Sequence, residues 1–432
     1  MYQEHAPTIK ASYKWLNWEN ASKCAVLLWL IAQVLLIFLF WDTPQKSDQG
    51  AYLKLAQTCF DKGQWYPNID HEYSSYIWAP GLINFFILQL KIFGTLKTNF
   101  FLNLLMNIGI AYNIWVLCNK WFNKRTAQIA ITFFCIIYSN IMVVLPAGTE
   151  VPFVFLAISA LNLCLTNKIR HLLLAGTLLA IANWIRPLII IFLPALLLYL
   201  YKNNSRIGHY VALIAPIILL STCIGFATKN RMGYFNFQSS TSGINLIMTA
   251  NDKAYGGVAT SLMNDTTNIC HIKNAKNFTY AEKDSIWKTR AFEWIKKHPT
   301  KFAKLYIFKI AGLYIEDSWA ERPILGGDGF VDKAAHGKAD KTAIIKRVWN
   351  MFSKSLVYYV VIFLFFISLL KEKKGIFTNK GYLLLIIILG TLSTCLFSVS
   401  PRYHYPMMFA IIIWAAYGLD KLITAKKNKT SC

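Results

Sequence analysis

The stretch CAVLLWLIAQVLLIFLFWDTPQKSDQGAYLKLAQ, residues 24–57, decides the fold class, because a long uncharged run passes directly into a polar segment. The run Cys24–Phe40 is long enough to cross the hydrocarbon of a bilayer, which takes roughly 17 to 25 residues. Phe101–Cys118 and Tyr382–Val399 are further uncharged runs. With 55% hydrophobic residues, 15% charged residues and a mean hydropathy of +0.38, the sequence predicts an all-α polytopic membrane protein.

The chain is strongly basic, with 45 Lys and Arg against 21 Asp and Glu and a formal charge of +24. In a soluble protein this excess would suggest nucleic acid as a partner. Here the basic residues cluster in short connectors between apolar runs, such as 119–128, 168–170 and 371–374. Cytoplasmic loops of membrane proteins carry this excess, so the charge indicates topology and we expect no nucleic-acid partner.

The connectors predict about ten transmembrane helices, within a range of nine to twelve, and two helices that do not cross. A basic leader precedes the first run, which we interpret as a retained signal anchor with a cytoplasmic N-terminus. Pro80–Gly94 would be only about 22 Å long and is predicted to be re-entrant or interfacial. Phe302–Ile315 is short and carries Lys304 and Lys309, so it is predicted to be an amphipathic helix on the membrane surface. The predicted spans are 24–41, 99–118, 129–147, 151–166, 171–185, 188–201, 210–227, 354–370, 382–399 and 405–420.

This topology divides the chain into three regions. Residues 1–227 form an N-terminal membrane module with a first outer loop at 42–79, residues 228–353 form an outer-face loop region, and residues 354–432 form the last helices and a basic cytoplasmic tail. By this count 17 of the 21 acidic residues lie outside. Orientation rules depend on Lys and Arg alone, so the acidic excess is independent evidence that the chemistry is on the outer face.

The Lys-, Ile- and Asn-rich composition suggests a bacterial inner membrane, with a periplasmic active face and both termini in the cytoplasm. A location in the endoplasmic reticulum is the alternative. It would place the sequons at Asn264 and Asn277 in the lumen, where glycosylation would reveal them.

The first outer loop carries the residues best suited to sugar chemistry. Asp48 and Tyr52 lie at helical spacing on one face. Asp48 has two interpretations, a surface-helix cap supported by Ser47 or Thr43 or a catalytic base. Acidic residues mix with aromatic residues further along the loop, and carboxylates bind sugar hydroxyls while rings stack on sugar faces. The members of that second group are Tyr66, Asp70, His71, Glu72, Tyr73, Tyr76 and Trp78.

A divalent metal is the one cofactor that this loop suggests. His71 and Glu72 are possible ligands, but two adjacent residues are a poor ligand set without a third. No cofactor is therefore certain, and a metal site stays open.

The order of several short motifs resembles the GT-C glycosyltransferases, with bacterial relatives of the protein O-mannosyltransferases and of the lipid A aminoarabinose transferases as the nearest groups. The resemblance covers most of the chain, and its strength is the motif order. The motifs are Asp48-x3-Tyr52-x3-Ala56, Gly63 with Tyr66, Tyr76-x3-Pro80, Glu150 at a span start, Arg186-Pro187, Arg231 at a span end, and Arg402-Tyr403. The sequence departs from the family at Trp78-Ala79, where many relatives carry prolines, and at Gln49, where an Asp-Glu pair is expected.

The resemblance implies a GT-C fold and an inverting transferase that takes a sugar from a polyprenyl-phosphate donor. The acceptor would be a hydroxyl or phosphate of a protein, lipid A or another glycolipid. Asp48 would be the general base, and Glu150 would orient the acceptor or assist Asp48. Arginines would bind the leaving phosphate. The expected donor- and acceptor-binding residues are Tyr52, Tyr66, Glu72, Tyr76, Arg186, Arg231, Arg402, Tyr403 and His404.

Other interpretations remain open at this point. The arginines could be interfacial residues whose charges reach toward water, although Arg186 interrupts a long apolar stretch, where a charge is costly and usually functional. Glu150 could be an ordinary acid at a helix start. The alternative functions are a transporter or flippase for a lipid or amphiphile, and a polysaccharide polymerase or ligase with a diphosphate-linked donor. A non-catalytic scaffold would leave the carboxylates and arginines unexplained.

Overall fold

The computed structural model describes residues 17–68, 77–325, 341–372 and 380–430, and these residues form a helical bundle. In chain order the first ten helices are α1 Trp18–Leu39, α2 Ser47–Asp61, α3 Pro80–Phe93, α4 Thr98–Trp121, α5 Lys124–Ile136, α6 Tyr138–Met142, α7 Glu150–Cys164, α8 Ile169–Ile185, α9 Ile189–Lys202 and α10 Ile207–Met232. The remaining helices are α11 Ser242–Ile247, α12 Tyr280–Lys297, α13 Pro299–Tyr314, α14 Arg322–Leu325, α15 Lys341–Lys371, α16 Gly381–Cys395 and α17 Tyr405–Thr430. Within these ranges the β-structure is limited to an isolated parallel bridge between Gly257 and Val399.

The prediction of an all-α polytopic membrane protein is confirmed. Within the described ranges, five helices are long and apolar enough to cross a membrane and five others are apolar but shorter. The count of ten spans therefore stays a prediction. The long ones are Trp18–Leu39, Thr98–Trp121, Ile207–Met232, Ile344–Lys371 and Pro401–Ala425. The shorter ones are Pro80–Phe93, Glu150–Cys164, Ile169–Ile185, Ile189–Lys202 and Gly381–Cys395.

The predicted span 129–147 is not one continuous helix, because the helix breaks at Ile137. Ile137 is extended, with ψ at 129°, and α6 ends only a few residues later at Met142. Buried polar groups hold the break, since the Asn140 side chain donates to the Phe134 carbonyl oxygen at 2.9 Å. Pro146 follows, and proline cannot donate the hydrogen bond that a continuing helix needs. Apolar character alone did not reveal these constraints.

Helix α3 lies inside the bundle, with most of its residues buried, and it packs against α2 and α8. Gly81 makes the close approach to α8 possible, because a Cβ atom there would lie 2.7 Å from the Ile185 backbone nitrogen. The contact fixes α3 beside the end of α8, immediately before Arg186. That the segment Pro80–Gly94 is re-entrant or interfacial, and does not cross the membrane, stays a prediction.

The predicted outer-face region contains short helices around a buried cluster of its own that includes Trp287 and Trp294. Helix α13 corresponds to the predicted amphipathic segment and exposes Ile307 and Phe308. Lys309 departs from the expected polar face, because it is fully buried. Its ammonium group donates to the Cys395 carbonyl oxygen at 3.0 Å, at the C-terminal end of α16, where a cation is favourable.

The predicted division into three regions stays a prediction. Helix α10 continues to Met232, past the boundary at 227, and α15 runs from Lys341 through the boundary at 353. Both boundaries therefore lie within helices rather than in connectors.

Candidate active site

Asp48 lies in the first turn of α2, and its carboxylate is not used for capping. Lys46 occupies the capping position and no side-chain hydrogen bond caps this helix, so the expected cap by Ser47 or Thr43 is wrong. Ser47 has a left-handed φ of 56°, which is costly for a residue with a side chain and is typical of functional sites. The Asp48 carboxylate accepts a hydrogen bond from the Arg402 guanidinium instead.

Glu150 and Arg186 form a buried ion pair where α7 begins and α8 ends. The Arg186 Nη1 atom lies 2.6 Å from Glu150 Oε1 and 3.0 Å from Thr149 Oγ1. The side chains are 4% and 11% exposed, respectively. Gly148 borders the pair, because a Cβ atom there would lie 2.5 Å from Glu150 Oε2. A charge-assisted hydrogen bond of this kind fixes both side chains.

Arg402 joins the two carboxylates into one cluster. Its guanidinium contacts Asp48 through Nη2, and its Nε atom lies 4.0 Å from Glu150 Oε1. The Tyr403 ring lies 5.1 Å from the Arg186 Cζ atom and 5.3 Å from the Arg402 Cζ atom. We call Asp48, Glu150, Arg186 and Arg402 the carboxylate–arginine network. With Tyr403, the structure thus brings together five residues that the sequence singled out.

Tyr52 and Trp78 provide an aromatic wall beside this network. The Tyr52 ring packs edge-on against Trp78, with a centroid distance of 5.4 Å. Burial, together with the negative charge of Asp48, raises the pKa of Tyr52 above its ordinary value. The Tyr52 hydroxyl therefore stays protonated and can donate a hydrogen bond to a bound ligand.

The predicted outer-face region contacts the chain on both sides of the turn that carries Arg402. Before the turn, the Ser398 and Val399 backbone N–H groups donate to the carbonyl oxygens of Asn245 and Gly256, at 3.2 and 3.0 Å. After the turn, His404 is fully buried against Asp317. This arrangement limits where the Arg402 side chain can reach.

His404 and Asp317 form a buried pair that the sequence did not reveal. The Nε2 atom of His404 lies 3.1 Å from Asp317 Oδ1, and its Nδ1 atom lies 2.8 Å from the Leu313 carbonyl oxygen. A carbonyl oxygen only accepts, so Nδ1 carries a proton. The Ser139 backbone N–H donates to the other Asp317 oxygen at 3.2 Å. The only signal for Asp317 in the sequence was its place among the outer-face acids.

Other predicted site residues lie apart from the network or outside the described residues. Tyr66 is buried and exchanges hydrogen bonds with Asn84, at 2.9 and 2.6 Å. Arg231 is exposed at the end of α10. His404, in the buried pair, also has no contact with the carboxylates of the network. The predictions for His71, Glu72 and Tyr76 concern residues that the structure does not describe.

The charges of the network balance, with two carboxylates and two guanidinium groups. A divalent cation prefers several negatively charged or neutral oxygen and nitrogen ligands, and here each carboxylate already has an arginine partner. Among the described residues, no group of three His, Cys, Asp or Glu side chains is arranged to hold a metal ion.

The fold can be compared with solved structures, whereas no protein-family model and no curated protein matches the sequence. The apo crystal structure of the Archaeoglobus fulgidus oligosaccharyltransferase superimposes with a TM-score of 0.52 at 13% identity, over 98% of this chain and 53% of that one. The same enzyme in complex with Zn and sulfate gives 0.51 at 14% identity, over 93% and 49%. ArnT from Cupriavidus metallidurans bound to undecaprenyl phosphate gives 0.42 at 11% identity, over 93% and 76%.

The chain therefore has the fold of the A. fulgidus oligosaccharyltransferase, which confirms the GT-C fold that the motif order predicted. The chain spans about half the length of that protein.

Proposed function

We propose that this chain is a membrane glycosyltransferase that moves a sugar from a polyprenyl-phosphate donor to a hydroxyl or phosphate acceptor on the outer membrane face. The carboxylate–arginine network is the observation that carries the proposal. It puts the partly exposed Asp48 carboxylate beside the Arg402 guanidinium, and Glu150 links Arg402 to Arg186. The shared GT-C fold supports a reaction of this class by analogy, since a fold alone does not define an activity.

Asp48 acts as the general base in this proposal. It takes the proton of the acceptor hydroxyl while the hydroxyl oxygen bonds to the anomeric carbon of the sugar. The bond from that carbon to the donor phosphate oxygen breaks, and its electron pair stays on the phosphate. The products are an acceptor glycoside with inverted configuration and a polyprenyl phosphate with one more negative charge. A positioned base contributes typically 10²- to 10⁴-fold to the rate.

The arginines stabilise the charge that develops on the leaving phosphate. Planar guanidinium groups suit phosphate oxygens because they donate paired hydrogen bonds. Arg402 is the more open of the two, with 24% of its side chain exposed against 11% for Arg186. Glu150 is buried between them, and we assign it the role of orienting both guanidinium groups. The donor chain lies in lipid, so its phosphate meets the arginines at the membrane boundary.

The aromatic residues beside Asp48 suit the sugar or acceptor. Tyr52 can donate a hydrogen bond, and the half-buried Trp78 offers a ring for stacking on an apolar sugar face. The acceptor in this proposal is a hydroxyl or phosphate of a protein, lipid A or another glycolipid. Tyr66, Glu72, Tyr76, Arg231 and His404 stay predicted substrate contacts.

The dependence of the transfer on a divalent metal can be tested directly. The A. fulgidus oligosaccharyltransferase has been crystallised with Zn and sulfate. In this chain His71 and Glu72 are the candidate ligands. Activity that is lost in a chelator and restored by added Zn²⁺ or Mn²⁺ would support a metal site. Metal-free protein that keeps full activity would contradict a metal requirement for the transfer.

The proposed function is tested with purified protein in lipid nanodiscs and a polyprenyl phosphate that carries a labelled sugar. We expect release of polyprenyl phosphate and at least a 10²-fold loss in Asp48→Asn. Asp61→Asn is the matched control, because Asp61 is an exposed carboxylate at the other end of the same helix. Normal release by Asp48→Asn would rule out Asp48 as the base. Lipid movement across vesicles without any sugar release would favour a transporter.

A further inference from the structure

We propose that the phosphate of the donor replaces Asp48 on Arg402, so that donor binding itself frees the catalytic carboxylate. This inference rests on the proposed function, because it concerns the same donor and the same base. The roles proposed for Asp48 as the base and for Arg402 as the phosphate-binding residue conflict. The residue expected to take the acceptor proton and the residue expected to bind phosphate are each other's hydrogen-bond partner.

The pair occupies atoms that both roles need. The Asp48 Oδ2 atom accepts a charged hydrogen bond from Arg402, which holds the carboxylate toward the guanidinium. The Arg402 Nη2 group donates to Asp48 in this pair, and not to a phosphate oxygen. Transfer of the phosphate to Arg402 removes both obstacles in one step.

The two carboxylates of the network differ in how easily they can leave. Glu150 is 4% exposed and held by Arg186 at 2.6 Å, with Arg402 Nε at 4.0 Å. Removing a partner from such a buried charge is strongly unfavourable. Asp48 is 35% exposed, and Arg402 is the one partner that its carboxylate has within the described residues. Water can solvate Asp48 when it is displaced, so Asp48 is the exchangeable partner.

The exchange keeps the local charge balance at Arg402. One anionic oxygen replaces another, while Glu150 and the Tyr403 ring keep the guanidinium in place. A phosphate can accept two parallel hydrogen bonds from the guanidinium fork, whereas Asp48 takes one. The order of events follows because Asp48 is released only when the phosphate takes its place on Arg402. The donor binds first, and the carboxylate then becomes available to the acceptor.

The exchange predicts that Asp48 competes with phosphate, so that removing its charge strengthens donor binding even though it abolishes transfer. The test measures equilibrium binding of a fluorescent isoprenyl monophosphate to the full chain in nanodiscs of zwitterionic lipid. We expect Asp48→Asn to bind it about tenfold more tightly than the wild type, which corresponds to roughly 1.4 kcal/mol. Asp48→Ser should act in the same direction, and Asp61→Asn should leave the affinity unchanged.

Two further probes separate the phosphate from the chain. Inorganic phosphate should show the same tightening in Asp48→Asn, measured as competition against the fluorescent probe. The isoprenol of equal chain length should show none. Arg402→Gln should weaken binding of the isoprenyl monophosphate at least tenfold and should remove the difference between the Asp48 variants. Tightening that appears equally with the isoprenol would mean that the effect is steric, and it would overturn the exchange.

The outcomes distinguish this inference from the proposed function. If the wild type transfers sugar and both Asp48 variants bind the monophosphate no more tightly than it does, the exchange is wrong and the transferase stands. If the Asp48 variants bind more tightly but the wild type releases no polyprenyl phosphate, the exchange stands and the proposed reaction is wrong. Matching thermal midpoints of the variants and the wild type show that the comparison concerns folded protein.

Discussion

The Arg402 guanidinium pairs with the Asp48 carboxylate across 354 positions of the chain. Asp48 follows the first long apolar helix, and Arg402 precedes the last one. The pair therefore forms only after both helices have packed into the same bundle with these ends together. Glu150 and Arg186 reach the same place from α7 and α8, which are packed against each other. Each member of the network stands at a helix end, where an ionisable side chain can reach the polar boundary of a membrane protein.

Gly148→Ala tests how sensitive the network is to small displacements. The added methyl group would lie 2.5 Å from Glu150 Oε2, and Glu150 cannot move away without disturbing its hydrogen bond to Arg186. We expect sugar transfer to fall by about tenfold to 10²-fold, because misplacement by about 1 Å can cost that much, with little change in the thermal midpoint. Gly208→Ala is the control, since a Cβ atom there meets open space. Equal activity of the two variants would contradict this role of Gly148.

Arg186→Gln tests whether Glu150 needs a charged partner. The substitution leaves a buried carboxylate with only a distant arginine, and breaking a buried pair in this way costs about 3 to 5 kcal/mol. We expect a clear drop in the thermal unfolding midpoint. Adding Glu150→Gln removes the unpaired charge and should restore much of the loss. The exposed Arg206→Gln serves as a control. If the double variant is less stable than Arg186→Gln, the charge is not the cause.

Lys309 gives the folded protein a pH dependence of predictable sign. Burial lowers the pKa of this ammonium group to about 8, against about 10.4 for a lysine in an unfolded chain. Between these values the unfolded chain binds more protons, so the stability contributed by this residue rises as the pH increases from about 8 to about 10. We expect the thermal midpoint of the wild type to rise relative to that of Lys309→Met over this range. Parallel curves for the two proteins would show that Lys309 does not titrate as described.

The membrane orientation is tested by cysteine labelling with a membrane-impermeant reagent. Lys62→Cys and Lys297→Cys introduce thiols at exposed positions of the first outer loop and the outer-face region. Both should react from the same side in intact cells or spheroplasts, because the two regions are predicted to share the outer face. Lys371→Cys, exposed at the far end of α15, should react only after permeabilisation. Cys24 and Cys223 are exposed and are replaced first to lower the background. Labelling of Lys371→Cys in intact cells would reverse the topology.

Much of the architecture could be predicted because a bilayer imposes local rules. A helix must be apolar over roughly 17 to 25 residues to cross, and basic connectors mark the cytoplasmic side. Membrane helices such as the one that contains Cys24–Phe40 can therefore be recognised from the sequence. The helix break at Ile137 could not be predicted from these local rules. The Asn140 side chain donates to the Phe134 carbonyl oxygen beside the break, and the Ser139 backbone N–H donates to the distant Asp317 carboxylate. Hydropathy gives no information about such hydrogen bonds.

The sequence by itself determined that the protein belongs in a membrane and that acidic, aromatic and arginine residues stand at the ends of its apolar runs. Those features depend on neighbours along the chain, so composition and spacing reveal them. The tertiary structure alone decided that Asp48 faces Arg402 rather than capping α2, and that His404 turns inward to Asp317. It also decided that Lys309 is buried against the end of α16. The physical reason is that partners of charged side chains depend on which helix ends meet, and that is set by packing between segments far apart in the chain.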